Sequence, residues 1–237
     1  MKLSPVTADS SHESCSDCSI RPLSICASLD GGEMLDLEHL ARQIHFEPCE
    51  TVFAQEDMTT SFYSVLTGVL RLYKLLPDGR RQIVGFALPG DFLGLTADGR
   101  HSFSADAIGP ATVCQFDRAS FVRFAEHKPN LLRCINEQTV RELAHARDHM
   151  VLLGRRSAEE KVAAFLLDWR DRLSRRRGPS TKLPLPMSRQ DIADYLGLTI
   201  ETVSRTFTKL ERAGVIAVLP GSVCLLDTAR AEALAAA

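Results

Sequence analysis

The period of the apolar positions changes once along the chain. Between about Cys49 and Phe116 they fall in short β-branched and aromatic runs, among them Ser61-Phe-Tyr-Ser-Val-Leu and Val69-Leu-Arg-Leu-Tyr-Lys-Leu-Leu. Gly68, Pro77-Asp-Gly79, Pro89-Gly-Asp91 and Gly109-Pro110 separate the runs. Short strands punctuated by turn residues predict an antiparallel sandwich or barrel. After Pro129 one residue in three or four is apolar: Leu132, Ile135, Thr139, Leu143, Ala146, Met150 and Leu153 share one stripe of a long helix. So narrow a stripe suits a seam between paired helices, although it could also pack on the barrel of its own chain. At more than twice the mean helix length of ~11 residues, and with no equally long partner in the sequence, this helix is expected to pair with a second copy.

Gly154-Arg155-Arg156 closes that helix, and Ser157-Ala-Glu-Glu160 reads as a capping box opening another, with Val162, Phe165, Leu166 and Trp169 facing inward. The stretch from Leu173 to Pro186, with Arg175-Arg-Arg-Gly-Pro-Ser, is expected to be a solvated connection. Ser188 then caps a two-turn helix, Arg189-Gln-Asp-Ile-Ala-Asp-Tyr-Leu, with Ile192, Ala193 and Leu196 inward. Gly197 stops it, and Thr199 caps Ile200 to Leu210, whose Val203, Phe207 and Leu210 face the same core. Small residue, glycine and valine at these positions predict a helix-turn-helix: Ala193 permits a close crossing and Gly197 turns the backbone at little steric cost. Val215-Ile-Ala-Val-Leu, Pro220-Gly-Ser and Val223-Cys-Leu-Leu follow as the hairpin of a wing.

Glu201, Ser204 and Arg205 are left outward near the start of the second helix, the part that enters a DNA major groove. Arg205 suits guanine O6 and N7, Glu201 a cytosine amino group, and Ser204 a thymine or phosphate. Thr202, Ser188, Arg189 and Gln190 complete the expected DNA contacts. Glu201 and Arg205, four apart, could instead form a plain surface ion pair. Charge agrees with a nucleic-acid role for this half. Up to residue 150 there are 14 Lys and Arg against 20 Asp and Glu, and beyond it 14 against 10, within a net charge of -2.

The 237 residues, 45% hydrophobic, fit one or two globular domains. No stretch has the length of a membrane helix and the amino terminus lacks a signal-peptide core, so a cytoplasmic protein is expected. Seven cysteines, an odd number, argue against a disulfide framework there. Residues 1–30 carry Cys15, Cys18 and Cys26 without either period and read as an irregular arm. His145-Ala-Arg-Asp-His149 has the spacing of a zinc-protease helix, but alanine stands where that chemistry needs glutamate, so both histidines are expected at the helix surface. No Ser/His/Asp, paired-carboxylate or phosphate-loop constellation suggests an enzyme.

Over nearly its whole length the chain resembles the CRP/FNR superfamily of transcription regulators. Leu72-Tyr-Lys-Leu-Leu-Pro-Asp-Gly-Arg-Arg-Gln-Ile, Phe86-Ala-Leu-Pro-Gly-Asp-Phe-Leu-Gly, Leu185-Pro-Met-Ser-Arg-Gln-Asp-Ile-Ala-Asp and Glu201-Thr-Val-Ser-Arg205 look most like the FnrN, FixK and AadR-like regulators of alphaproteobacteria. The resemblance implies an α+β chain with four parts. These are an arm (1–30), an antiparallel β-roll of the cyclic-nucleotide-binding type (31–128), a dimerisation helix (129–154) and a winged helix-turn-helix (155–237). Cyclic-nucleotide binders of this superfamily share Gly-Glu-Leu followed by Arg-Ser or Arg-Thr. Here Gly90-Asp-Phe-Leu-Gly lacks the glutamate and Arg100 precedes His101, so no cyclic nucleotide is expected.

In place of that pocket the chain has Cys15-x2-Cys18-x7-Cys26 on the arm and Cys114 late in the roll. Four thiolates suit an all-cysteine iron-sulfur cluster or a tetrahedral zinc, and spacing does not choose between them. The resemblance to FnrN-like oxygen sensors implies a 4Fe-4S cluster. It further implies a homodimer that activates anaerobic or microaerobic genes through RNA polymerase at a TTGAT-N4-ATCAA-like palindrome in double-stranded DNA. A cluster-free FixK-like regulator, a small-molecule sensor of the same fold and a zinc-stabilised scaffold are the competing readings. Cys49, Cys134 and Cys224 are read as packing residues.

Overall fold

The computed structural model describes residue 15, residues 17–155 and residues 157–236. The expected arm residues 1–14 and residue 16 therefore lie outside the described residues. The chain divides into two compact units, one of Met1–Arg80 with Gly85–Arg141 and one of Arg81–Val84 with Glu142–Ala237.

In the first unit, α1 (Gly31–Leu40) opens on a capping box. Glu33 N–H donates to the Asp30 carboxylate at 2.8 Å, and Asp30 N–H donates to the Glu33 carboxylate at 3.1 Å. Eight strands follow, the fifth of which has its first four residues grouped with the second unit: β1 (Ala41–Phe46), β2 (Thr51–Phe53), β3 (Ser61–Thr67), β4 (Leu70–Leu75), β5 (Arg81–Ala87), β6 (Phe92–Leu93), β7 (Ser104–Ala107) and β8 (Ala111–Asp117). They form two four-stranded sheets, β1-β8-β3-β6 and β2-β7-β4-β5, the antiparallel roll that the short apolar runs anticipate. Two helices close the unit, α2 (Arg118–Ala125) and the first part of α3 (Pro129–Arg155).

Alternation along β3, β6 and β8 divides the core in two. Tyr63, Val65, Leu93 and Val113 face the roll interior with Leu70, Ala105 and Ala107. Phe62, Phe92, Cys114 and Phe116 face the other way, onto Met34 and Leu37 of α1, Phe121 of α2, Leu131 of α3, and Ile25 and Leu29 of the arm. Phe62, Phe92 and Phe116 each stand 5.3–5.4 Å from the Phe121 ring. Each such buried ring contributes ~1.5–3 kcal/mol, giving the arm a rigid floor.

The described part of the arm is ordered where the sequence suggested an irregular loop. Two 3-10 turns, Arg21–Leu23 and Ile25–Ser28, are set by Pro22 in the first turn and by Ser24, whose hydroxyl accepts from Cys26 N–H at 3.2 Å. Turns this short have no periodicity to read, and the fully buried Ile25 pins them.

The second unit holds α4 (Ala158–Arg177), β9 (Lys182–Pro184), α5 (Arg189–Leu196), α6 (Ile200–Arg212), β10 (Ile216–Leu219), β11 (Ser222–Leu225) and α7 (Thr228–Ala236). The Ser157/Glu160 capping box forms as expected, and Val162, Phe165, Leu166 and Trp169 are buried. The basic run from Arg175 is not a loop. α4 carries it to Arg177, where cations suit the negative end of the helix, and Gly178 (φ 79) ends it. β9 adds a third strand to the expected wing hairpin, in the order β10-β11-β9. Buried Lys161 donates to the carbonyls of Leu153 (3.1 Å) and Leu196 (3.2 Å), joining the carboxy-terminal ends of α3 and α5 through one ammonium.

Candidate functional site

The helix-turn-helix forms at the expected residues. Asp191 N–H donates to Ser188 Oγ (3.0 Å) at the start of α5, Gly197 takes the left-handed conformation (φ 62), and Thr202 N–H donates to Thr199 Oγ1 (3.2 Å) at the start of α6. Ile192, Ala193, Leu196, Val203, Phe207 and Leu210 are all buried between the helices and their neighbours. With that face occupied, Glu201, Ser204 and Arg205 stand exposed on the opposite side of α6, together with Thr208 and Lys209. Thr208 and Lys209 continue the same face one turn on, and Lys209 pairs with Glu159.

No ion pair joins Glu201 to Arg205. The Glu201 carboxyl is held below its ordinary range chiefly by its own backbone N–H, next by the Thr199 hydroxyl and least by the Arg205 charge. The Arg205 side chain stands exposed. The other expected DNA-contact residues also make contacts within the motif. Ser188 Oγ donates to the Asp191 carboxylate (2.7 Å), and Gln190 Nε2 donates to Asp194 (2.6 Å). Thr202 Oγ1 lies 3.0 Å from Thr199 Oγ1, and the Arg189 guanidinium lies 3.4 Å over the Phe207 ring. Half-buried there, Arg189 is a strut between α5 and α6. Sequence reasoning missed Arg81, which bridges Asp191 (2.9 Å) and Asp194 (2.8 Å) in this unit. Its partners lie more than a hundred residues away, and nothing local signals them.

The stripe on α3 is mostly uncovered within one chain. Leu132 (46%), Leu143 (49%) and Met150 (66%) are exposed, as are Thr139 and Ala146. Val140 (58%) and Val151 (57%), which the sequence reading left out, widen the stripe. Ile135 and Leu153 depart from it. Ile135 packs on the core beneath the arm, and Leu153 Cδ2 approaches within 3.2 Å of where a Cβ on Gly197 would stand.

The four candidate cysteine ligands come together. Cys15, Cys18 and Cys26 from the arm and Cys114 from β8 line one small cavity with Ile20, Ser24, Met34, Leu37, Ser64, Leu66 and Phe116. Neither a carboxylate nor an imidazole is among these lining residues. Burial is the main reason the Cys15 thiol is pushed up to about 11, with Glu38 and the other cysteines adding to it. Burial likewise raises Cys114, with Cys15, Cys26 and Cys18 each adding to it, and Cys26 is raised by burial first. Burial and mutual repulsion thus disfavour thiolates at Cys15, Cys26 and Cys114, and a cationic guest would offset both. Among the described residues no group of three or more His, Cys, Asp or Glu is placed to hold a metal ion. The arrangement can offer four soft sulfur donors to one guest.

Cys49, Cys134, Cys224, His101, His145 and His149 are not among the residues lining that cavity. Cys49 is exposed in a turn with φ 69, not packed as expected, while Cys134 and Cys224 are half-buried. His145 lies 3.8 Å from Asp168 at the surface, but His149 is half-buried, its ring stacked 4.2 Å from that of Tyr195. Burial, then the Lys161 charge, lowers His149 and keeps it neutral. Arg100 is exposed and donates to the Glu56 carbonyl at 2.6 Å, while His101 is buried against Phe53, ring centroids 4.0 Å apart.

Residues 185–216 match the bacterial regulatory proteins of the crp family, and residues 43–128 match the cyclic nucleotide-binding domain. Over all 237 residues, and all of the relative, the chain is 68% identical to the nitrogen fixation regulation protein FixK of Bradyrhizobium diazoefficiens. It is 56% identical to the transcriptional activatory protein AadR of Rhodopseudomonas palustris, over 93% of this chain and 92% of that one. To the transcriptional activator protein FnrL of Cereibacter sphaeroides it is 38% identical, over 86% and 84%. The solved structure of FixK2 from Bradyrhizobium japonicum superposes with a TM-score of 0.77 at 40% identity, covering 83% of this chain and 98% of that one.

Proposed function

The chain belongs to the CRP/FNR family of bacterial transcription regulators, DNA-binding proteins rather than enzymes, and from that premise we propose that it is an oxygen-responsive activator of the FixK type. In this reading it holds a 4Fe-4S cluster on Cys15, Cys18, Cys26 and Cys114 and serves genes of microaerobic or nitrogen-fixing life. The observation that carries the reading is the single cavity lined by all four cysteines. Four cysteines on one cavity, with no carboxylate or imidazole among the lining residues, suit an all-cysteine centre of this kind. When bound, the cluster supplies an oxygen-labile link between arm and roll.

The chain's own residues turn that link into DNA affinity. Cys15 and Cys26 rest on the same apolar core as Leu131, Cys134 and Ile135 at the start of α3. Holding the arm in place therefore fixes the root of the helix whose exposed stripe pairs with a second copy, the dimeric state in which this family works. Pairing sets two α6 helices for the two half-sites of a palindrome such as TTGAT-N4-ATCAA. RNA polymerase is the partner an activator of this kind requires. Protein purified without oxygen should contain about four irons per chain and absorb in the visible, and should bind operator less tightly after exposure to air. A colourless, iron-free preparation with equal DNA affinity in air would instead identify a cluster-free regulator.

Base reading should rest on Arg205. Aimed at guanine's two acceptors, it should lose ~1–3 kcal/mol of binding in Arg205→Ala, with relaxed preference at one base pair per half-site. Titrating wild type and variant against a panel of half-site changes at one salt concentration checks this. If affinity falls by the same factor for every sequence, Arg205 contacts phosphate and reads nothing.

A further inference from the structure

Ser64 stands out on the same cavity. It is 2% exposed, and its Oγ is a buried polar atom without a hydrogen-bond partner. Buried hydroxyls are nearly always paired, so an orphan marks a place where a partner is missing. The placement of Ser64 is not free to drift. β3 pairs it directly with Cys114 on β8 and with Phe92 on β6, and the alternation of the strand sends it to the same face as Phe62 and Leu66, onto the cavity that the four cysteines line. The other buried serine there, Ser24, is already satisfied, since its hydroxyl donates to the Arg21 carbonyl at 3.1 Å and accepts from Cys26 N–H.

We propose that Ser64 is a positioning residue for the cavity's guest, its hydroxyl donating a hydrogen bond to a sulfur of the bound cluster. The acceptor is the Cys114 sulfur or an adjacent sulfide. The inference rests on the cluster reading above and goes beyond it. Among the side chains of the lining residues the others are thiols, apolar groups or the occupied Ser24, so Ser64 offers an unoccupied side-chain hydroxyl from the strands to the guest. Hydrogen bonds to cluster sulfurs stabilise the more negatively charged state, raising the reduction potential and making loss of an electron harder. In the absence of a guest the same hydroxyl is a liability, because it is desolvated and unpaired. Ser64 therefore favours the loaded state over the empty one.

These opposite expectations make the test. Wild type, Ser64→Ala and Ser64→Thr are prepared without oxygen and reconstituted with iron and sulfide. Four quantities are then measured: iron content, midpoint potential, the decay rate of cluster absorbance in air, and the melting temperature of the cluster-free protein. Ser64→Ala should keep its iron, shift to a lower potential and lose its absorbance several-fold faster, while its cluster-free form melts at the same temperature or higher. Ser64→Thr, which keeps the hydroxyl, should restore the potential. Equal potential and equal decay in an iron-loaded Ser64→Ala would overturn the role of Ser64 alone, as would a cluster-free Ser64→Ala that melts markedly lower. Wild type that takes up no iron would overturn the cluster reading and this inference together.

Discussion

Cys114→Ser is expected to reduce the iron content of anaerobically prepared protein to background and to leave its operator affinity at the aerated wild-type level, whereas Cys134→Ser and Cys224→Ser should keep both. Cys114 is the ligand with least freedom. It sits in β8 between β1 and β3, buried, at a register that places it opposite Ser64 and facing the arm. The three arm cysteines can readjust on their short turns, but β8 cannot shift without breaking two ladders. A serine hydroxyl does not ionise at neutral pH and is a poor ligand for iron, so three thiolates would remain around an open iron position accessible to water. Serine also leaves a buried hydroxyl beside the orphan at Ser64, at a cost of ~1–3 kcal/mol. Cys114→Ala, which adds no polar atom, separates that loss of stability from loss of the ligand. Iron assays and operator titrations on both variants, with melting curves of the cluster-free forms, are the check. Normal iron in Cys114→Ala would remove Cys114 from the ligand set.

Much of this was legible in the sequence because it is local. The helix-turn-helix is written in residues 188–210, where cap, glycine and inward-facing positions lie within a few turns of one another, and the structure reproduces each. The roll was legible in its short apolar runs and turn residues, and the candidate ligands in the cysteine positions together with the resemblance to FnrN-like sensors. What escaped was what long-range packing decides. The stacking of the Arg189 guanidinium on Phe207, eighteen residues further along, has no local signal. Arg81 has no sequence neighbour to betray its hold on Asp191 and Asp194. The two 3-10 turns of the arm depend on Ile25 reaching a core built by β3, β8, α1 and α2. Ser64 was invisible for the same reason: a serine in a strand is unremarkable until its neighbours are known to leave it without a partner.

Leu143→Glu is expected to turn a dimer into a folded monomer and to weaken operator binding by roughly a hundredfold or more, the range over which linked half-site binding exceeds a single contact. The site is chosen for what the lone chain does not ask of it. Leu143 is 49% exposed, so a charge there should change monomer stability by only ~0.5 kcal/mol, as for an ordinary surface position. In a paired helix the same carboxylate would have to leave water opposite Val140, Met150 or another Leu143, none of which offers a counter-charge, and the helices separate instead. Ile135→Glu would not make the same test, because Ile135 packs beneath the arm and its loss would damage the fold and the cysteine cavity together. Sedimentation measures the mass, thermal unfolding shows whether the monomer is intact, and titration of a full palindrome against a single half-site separates lost pairing from lost base contacts. The variant should bind the half-site as wild-type chains do and gain little from the second one. A variant that still sediments as a dimer and still prefers the full palindrome would show that the stripe on α3 is not where the two copies meet.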